Sequence, residues 1–581
     1  MCGIAGIYKL DDSSVSEQEL KNMTDIISHR GPDGEGQWIN NKQKIGFGHR
    51  RLSIIDLSDK AKQPMHYANG QYTITFNGEI YNYIELKEDL IKRGYVFNSS
   101  SDTEVLLALF DLKKEKCLDD LDGMFAFAIW DEKEQKLFCA RDRFGEKPFH
   151  YFFNNKTFVF ASEIKQFWPI GIEKKLNEEK LLYFVESGML ENANDITETF
   201  YKDIKKLDAA HYLTLKDNKL TIKKYWDINL NAERFNGTIE QAAERFLELF
   251  RNSIRCRLRS DVPVGSSLSG GLDSSSIVML IDALKGKDLK QNTFSARFKN
   301  FDKDEGAHIE EVVKACKNVM VHYTWPDKHY FEDVFDKVTY YQDEPFGSAS
   351  IIAQYAVMEL AKKNNVTVLL DGQGADEQLA GYLPYYHTYL NQLFYSKMSL
   401  FKKEYNSYFK FHYNAHPHAS LADTETTRMK LGRYRRMLLN QEIVSKKNLK
   451  AELKNDTTGT GLKELLRYAD RNSMAHSREV RLPFLNHKLV EFVFSLPDEY
   501  KINSGWTKFV LRKAMDNILP PSICWRVDKI GYEPPQNNWM SSEKFELAIK
   551  DASKKLDIKN NNQGLGIFTK DWRLLMASKY I

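Results

Sequence analysis

An apolar run ending at Leu268 passes straight into Ser269-Gly-Gly-Leu-Asp-Ser-Ser275, and a helical pattern, Ser276–Leu284, follows at once. A strand that becomes a helix across a glycine pair belongs to a parallel sheet, because the helix carries the chain back before the next strand is laid down. Strand-like runs at Asn292–Phe298 and Val366–Leu370 are the expected neighbours. The second leads into an acidic loop, Asp371-Gly-Gln-Gly-Ala-Asp-Glu377. Ligands of open parallel sheets lie beyond the carboxyl ends of the strands, so both loops are expected to face one crevice.

Glycines let a backbone approach an anion closely, while hydroxyls and helix N-terminal amides supply donors. The 269–275 run is not the Walker pattern, which needs a lysine after its second glycine. It matches the pyrophosphate loop of enzymes that split ATP between the α and β phosphates and activate a carboxylate or similar group as its adenylate. Asp273 and Asp376 are then candidate oxygen ligands for Mg²⁺ beside the phosphates; the competing reading is two solvated turn aspartates. Gly505-Trp-Thr-Lys-Phe-Val-Leu-Arg512 places Lys508 at a helix start. There it can offset charge on the leaving pyrophosphate, or simply be solvated.

A chain of 581 residues exceeds what one core supports, which implies two or more domains. Residues 1–205 carry short aromatic and β-branched runs (Tyr72–Phe76, Met124–Trp130, Leu137–Ala140, Phe158–Ala161) between helical patterns at Ile84–Lys92 and Thr103–Leu112. That texture predicts an α+β domain on antiparallel sheets. Residues 206–237 read as a connector holding one strand, His211–Leu215, and residues 238–581 as the second domain. An amphipathic helix, Ile239–Leu258, opens it, and beyond Gly381 the pattern is almost wholly helical. The Asn560–Gln563 tract reads as an exposed loop.

Lys+Arg of 83 against Asp+Glu of 80 leaves +3, too little for a nucleic-acid-binding field. Six scattered cysteines, without a CxxC pair or metal-ligand spacing, point to a reducing compartment. There is no signal-peptide pattern and no apolar run near the ~20 residues a bilayer crossing needs, so a cytoplasmic protein without a membrane span is expected.

The second residue is a cysteine. With Met1 removed, Cys2 carries a thiol and a free α-amine, groups that titrate near ~8.5 and ~8. A terminal amine can act as general base for its own side chain, as in N-terminal threonine nucleophiles. The plain alternative is a small thiol buried under a terminal strand.

From Met1 to about Pro535 the chain resembles the glutamine-hydrolysing asparagine synthetases, a class II glutamine amidotransferase family. The resemblance rests on an ordered set of motifs. In the first half they are Met1-Cys-Gly-Ile-Ala-Gly6, His29-Arg-Gly-Pro-Asp33, His49-Arg-Arg-Leu-Ser-Ile-Ile-Asp56, Phe76-Asn-Gly-Glu-Ile-Tyr-Asn82, Ser101-Asp-Thr-Glu104, Asp122-Gly-Met-Phe-Ala-Phe127 and Ala140-Arg-Asp-Arg-Phe-Gly145. The phosphate loop, Met474-Ala-His-Ser-Arg-Glu-Val-Arg481 and Leu482-Pro-Phe-Leu485 complete it. The resemblance implies an N-terminal-nucleophile glutaminase, with stacked antiparallel sheets between helices. It also implies an adenine-nucleotide α-hydrolase-like ATP pyrophosphatase domain with a helical C-terminal part. Cys2 would attack the glutamine amide and form a thioester. Asn77 and the Gly78 N–H match the oxyanion hole, and Arg51 matches the grip on the glutamine carboxylate. Leu52, Ser53, Ile54 and Ile55 match glutamine-binding positions beside it, and Glu79 with Asp102 matches the α-amine site. Ser269, Gly270, Gly271, Asp273, Ser274 and Ser275 would hold the pyrophosphate part of MgATP. Leu268, Ala296, Asp371 and Gly372 match positions near the nucleotide. Ammonia would reach this half through an internal passage, with Ala140–Gly145 near the domain interface.

The chain departs from the family's pattern at two places. The second loop usually reads Ser-Gly-Glu-Gly-Ser/Ala-Asp-Glu; here Asp371 replaces the serine and Gln373 the glutamate, and a glutamine cannot accept a proton at neutral pH. In Asp343-Glu-Pro-Phe-Gly-Ser-Ala-Ser-Ile351, the arginine expected for an aspartate carboxylate is replaced by Ala349 or a neighbour. The acceptor is therefore L-aspartate by the family's usual activity, or a sugar uronic acid of a surface polysaccharide pathway. A non-catalytic glutamine or nucleotide sensor and an ammonia-only relative are the competing classes. The latter typically lacks the N-terminal cysteine. The sequence leaves the oligomeric state open, a homodimer included.

Overall fold

The computed structural model describes residues 2–192, 194–285, 290–413, 448–527, 533–558 and 568–581, so the Asn560–Gln563 tract lies outside the described residues. Two six-stranded antiparallel sheets are built from the first 224 residues. The first runs β10 (Ile204–Lys206), β8 (His150–Phe153), β9 (Thr157–Ala161), β1 (Gly3–Lys9), β3 (Ile45–Arg51) and β2 (Gly34–Ile39). The second runs β12 (Lys219–Lys224), β11 (His211–Lys216), β7 (Lys136–Arg141), β6 (Gly123–Asp131), β5 (Tyr72–Ile80) and β4 (Met65–Tyr67). Side chains from both, among them Ile4, Phe47, Ala126, Ala128, Trp130 and Phe160, share one buried cluster, as expected of stacked sheets whose strands alternate inward and outward. On the far face of the second sheet, Val105–Phe110 of the helix Asp102–Lys113 pack against Ile74, Phe76 and Phe127.

The segment expected to be a connector with one strand, His211–Leu215, carries that strand and a second one after it. His211–Lys216 pairs with β7 and Lys219–Lys224 pairs with His211–Lys216, so the antiparallel layer runs to Lys224. The signal for β12 is weak because this edge strand, Lys-Leu-Thr-Ile-Lys-Lys, is largely exposed and lysine-rich, a composition that protects sheet edges.

The second half holds a five-stranded, all-parallel sheet in the order β15 (Val319–Thr324), β14 (Gln291–Ala296), β13 (Val264–Ser267), β16 (Val368–Leu370) and β17 (Glu479–Arg481). The order reverses between β13 and β16, which opens a crevice beyond their carboxyl ends. The helix Ile239–Arg257 is capped by Thr238 and Gln241 in a reciprocal pair, and its apolar face buries Phe246, Phe250 and Ile254. The helix after the phosphate loop begins at Leu272, earlier than its apolar pattern suggests, because the last loop residues already form its first turn.

Candidate active sites

Cys2 immediately precedes β1, a central strand of the first sheet, and is buried. Its backbone N–H donates to Asn77 Oδ1 at 3.0 Å, and its thiol lies 3.9 Å from the Leu52 carbonyl. Burial pushes the thiol above its ordinary pKa. Asn77 comes from β5 of the facing sheet; it is fully buried and its Nδ2 has no hydrogen-bond partner. Next to it, a Cβ on Gly78 would stand 2.1 Å from the Met124 carbonyl oxygen and 2.7 Å from Phe125 Cα, so only glycine fits where β5 meets β6. A buried amide N–H₂ left free beside a buried thiol is a built donor.

Arg51 ends β3, where its guanidinium donates to the carbonyls of Asp56 (2.5 Å) and Ser58 (3.0 Å). The Ser53 N–H donates to Asp33 Oδ2 at 2.8 Å. Leu52 and Ile54 are buried, and with the half-buried Ile55 they pack beside Tyr81, Met124, Val368 and Met474. The loop is pinned to the second half: Asp261 N–H donates to the Ile54 carbonyl (2.9 Å), and the Asp56 N–H donates to Asp261 Oδ2 (2.8 Å). Glu79 and Asp102 are both buried. Burial raises Asp102 to about 6, although the Ile80 N–H bonds it at 2.9 Å. Burial, then the charge of Asp102, raises Glu79 well above the usual carboxylate range, and its Oε2 has no hydrogen-bond partner.

The structure adds residues that the motifs alone do not single out. Arg30, fully buried, donates from Nε to the Cys2 carbonyl (3.0 Å), from Nη1 to Glu163 (2.8 Å) and through both Nη atoms to Asp470 of the second half (2.9 and 2.8 Å). Lys165, Asp343 and Arg471 extend this buried ion network across the interface. Arg30 stands in the His29–Asp33 motif, but nothing in the sequence says that its partner lies 440 residues away. The interface expected near Ala140–Gly145 is there: Arg141, Gly145 and Glu146 line a cavity with Lys463, Arg467, Asp470 and Arg471.

In the second half, the loop after β13 folds on itself: the hydroxyls of Ser269 and Ser274 lie 3.0 Å apart, and the Ser269 N–H donates to the Ser274 hydroxyl at 3.2 Å. Gly270 has φ +80°, and a Cβ there would stand 2.9 Å from His308 Cβ. Ser275 Oγ is buried without a partner. The acidic loop sits against this one, since a Cβ on Gly372 would be 3.0 Å from Asp273 Cβ and 3.1 Å from the Ser274 nitrogen. Lys508 reaches between them, with Nζ 2.5 Å from Asp273 and 2.7 Å from Asp376. Burial works against its charge, yet the two carboxylates hold its pKa above the ordinary value. Its backbone is left-handed (φ 52°, ψ 36°), a strained conformation for a non-glycine residue. An Asp pair already closed around an ammonium presents hard oxygen donors to a cation, the donor type that Mg²⁺ takes, so the two residues fit such an ion.

Asp371 bonds the Gly372 N–H at 2.7 Å, and burial raises its pKa; Gln373 Oε1 is buried without a partner. Leu268 donates its N–H to the Phe294 carbonyl and Ala296 ends β14, so both line the same crevice edge. Ala349 is fully buried, and its N–H donates to Gln536 Oε1 at 2.8 Å. Arg526 donates to the Gly270 carbonyl at 3.2 Å, a neighbour of the phosphate loop that no motif anticipates.

Comparison with known proteins places both halves. A glutamine amidotransferase domain model matches residues 1–226, and an asparagine synthase model matches residues 245–570. "Asparagine synthetase [glutamine-hydrolyzing] 1" of Bacillus subtilis is 33% identical over 94% of this chain and 89% of its own length. "Amidase chry2" of Gibberella zeae is 27% identical over 93% of this chain and 90% of its own. Among solved structures, the B. subtilis glutamine phosphoribosylpyrophosphate amidotransferase is 15% identical with a TM-score of 0.31, covering 64% of this chain and 82% of that one. The chain belongs to the glutamine-hydrolysing asparagine synthetase family.

Proposed function

We propose that this protein makes an amide from L-aspartate, with glutamine as nitrogen donor and ATP as the activating substrate, releasing glutamate, AMP and pyrophosphate. The Cys2 thiol attacks the glutamine amide carbon, and the α-amine exposed when Met1 is removed takes the thiol proton. The developing oxyanion is met by Asn77 Nδ2 and the Gly78 N–H. Donors of this kind are often worth ~3–4 kcal/mol of barrier each. Ammonia leaves, and water hydrolyses the thioester. Arg51 takes the substrate carboxylate, while Glu79 and Asp102 take its ammonium.

In the second half the acceptor carboxylate attacks the α-phosphorus of ATP. The hydroxyls and amides of Ser269–Ser275 receive the pyrophosphate, with Lys508 offsetting its charge. Asp273 and Asp376 would hold Mg²⁺, which supplies charge neutralisation to the phosphates. Ammonia then attacks the acyl carbon and AMP departs. The observation that carries this reading is the contact between Cys2 and Asn77, whose amide nitrogen is buried and unpaired.

One observation favours a second acceptor. The segment Glu344–Ile351 holds no cation, and Ala349 is buried where a carboxylate clamp is expected, which suits a sugar uronate as well as aspartate. Pyrophosphate release with glutamine and MgATP, measured against aspartate and nucleotide-linked uronic acids, separates the two. Cys2→Ala should abolish glutamine-driven amide synthesis and spare synthesis from added ammonia. Loss of both in a folded variant would count against two separate sites.

A further inference from the structure

Strand β17 belongs to the synthetase-like half, yet its side chains enter the glutamine site. Arg481 is fully buried, and its Nη2 lies 3.6 Å from Glu79 Oε1. Its Nε bonds Glu479 at 2.6 Å, and its Nη1 donates to the carbonyls of Arg257 (2.8 Å) and Arg259 (2.6 Å). Nη2 itself makes no hydrogen bond, and neither does Glu79 Oε2. The main chain of the same residue faces the other site, since its carbonyl accepts the Asp371 N–H at 3.0 Å.

The charges around Glu79 come from each element packed against it. Asp102 lies on the helix Asp102–Lys113, Glu479 and Arg481 lie on β17, the α-ammonium at the start of the chain adds a second positive charge, and Tyr83 and the Cys2 thiol lie close by. Three buried carboxylates thus face two cations, one guanidinium and the α-ammonium. Such a cluster carries surplus negative charge, which suits a site meant to receive an ammonium group. It also sets a difficulty, because an acid in this surrounding readily keeps its proton, and a protonated Glu79 offers the ammonium no charge.

We propose that Arg481 is a positioning residue of the glutamine site, supplied by the synthetase half, which holds Glu79 as the anion that receives the α-ammonium of glutamine. Glu479 opposes it from the same strand. The proposal rests on reading Asn77–Asp102 as the glutamine site. The two β17 residues push Glu79 in opposite directions, Glu479 raising its pKa and Arg481 lowering it.

The test is the pH dependence of glutamine hydrolysis in the full chain with kcat and KM followed separately: protonation of the α-amine base lowers kcat, whereas protonation of Glu79 gives KM its acid limb. Arg481→Gln should move that limb to higher pH, raising KM for glutamine about tenfold near neutrality for each pKa unit gained and recovering as pH rises. Glu479→Gln should move it the other way, and Arg481→Lys, which keeps the charge, should stay close to the wild type. If Arg481→Gln does not fold, the opposite shift in Glu479→Gln still decides. Limbs that stay in place, or that move in the same direction in both glutamine variants, overturn the proposal. A wild-type protein that hydrolyses no glutamine overturns the underlying reading, and the proposal with it.

Discussion

Single atoms decide what the phosphate crevice tolerates. A Cβ on Gly381 would stand 1.9 Å from Asp376 Oδ1 and 2.3 Å from Lys508 Cε, so the clasp of Asp273, Lys508 and Asp376 closes only over a glycine. Gly381→Ala should cut carboxylate-dependent pyrophosphate release by about 100-fold or more, the effect of misplacing reacting groups by an ångström. Glutamine hydrolysis, in the other half, should change little; parallel assays check both. Much at this scale is legible in the sequence. Cys2, Asn77, Lys508 and the Ser269–Ser275 loop stand in motifs whose chemistry is local. Arg30 and Arg481 carry no such signal, because what they do depends on partners (Asp470, Glu79) hundreds of residues away.

Among elements, the 142–147 turn owes its shape to one side chain. The Asp142 carboxylate accepts N–H bonds from Phe144 (3.1 Å), Gly145 (2.7 Å) and Glu146 (2.9 Å) on one oxygen, and from Lys147 (2.9 Å) and Phe125 (3.2 Å) on the other. Asp142→Ala would strand several buried amides, each worth about 1–3 kcal/mol. Its denaturation midpoint should fall accordingly, and Asp142→Asn, which keeps one accepting oxygen, should fall by less. Strands such as β5 and β6 announce themselves through aromatic and β-branched runs. Strand β17 does not: Glu-Val-Arg is short and mostly charged, and it sits buried in the sheet with its charges paired, Glu479 with Arg481 on the strand itself and Arg481 also with Glu79 across the interface.

At the scale of the molecule, buried ion pairs join the halves. Arg30–Asp470 and Lys165–Asp343 cross directly, and Glu344 of the second half accepts the Phe200 N–H of the first at 2.8 Å while pairing with Arg467 of its own half at 3.3 Å. Burial disfavours its charge, but Arg467 and nearby cations bring its pKa down to about 2. A depressed carboxylate stabilises the fold above its unfolded pKa, about 4.3, and the contribution of about 3 kcal/mol is lost as pH falls towards 2. Acid titration followed by tryptophan fluorescence should show this loss, and Glu344→Gln should remove that part of the pH dependence. Asp261 binds the 51–56 loop from a position three residues ahead of β13, the strand that delivers Ser269. A glutaminase fragment ending at residue 226, or a chimaera joined to a foreign synthetase that lacks this aspartate, would inherit Cys2 but not the tether, and would grasp its amino-acid substrate loosely.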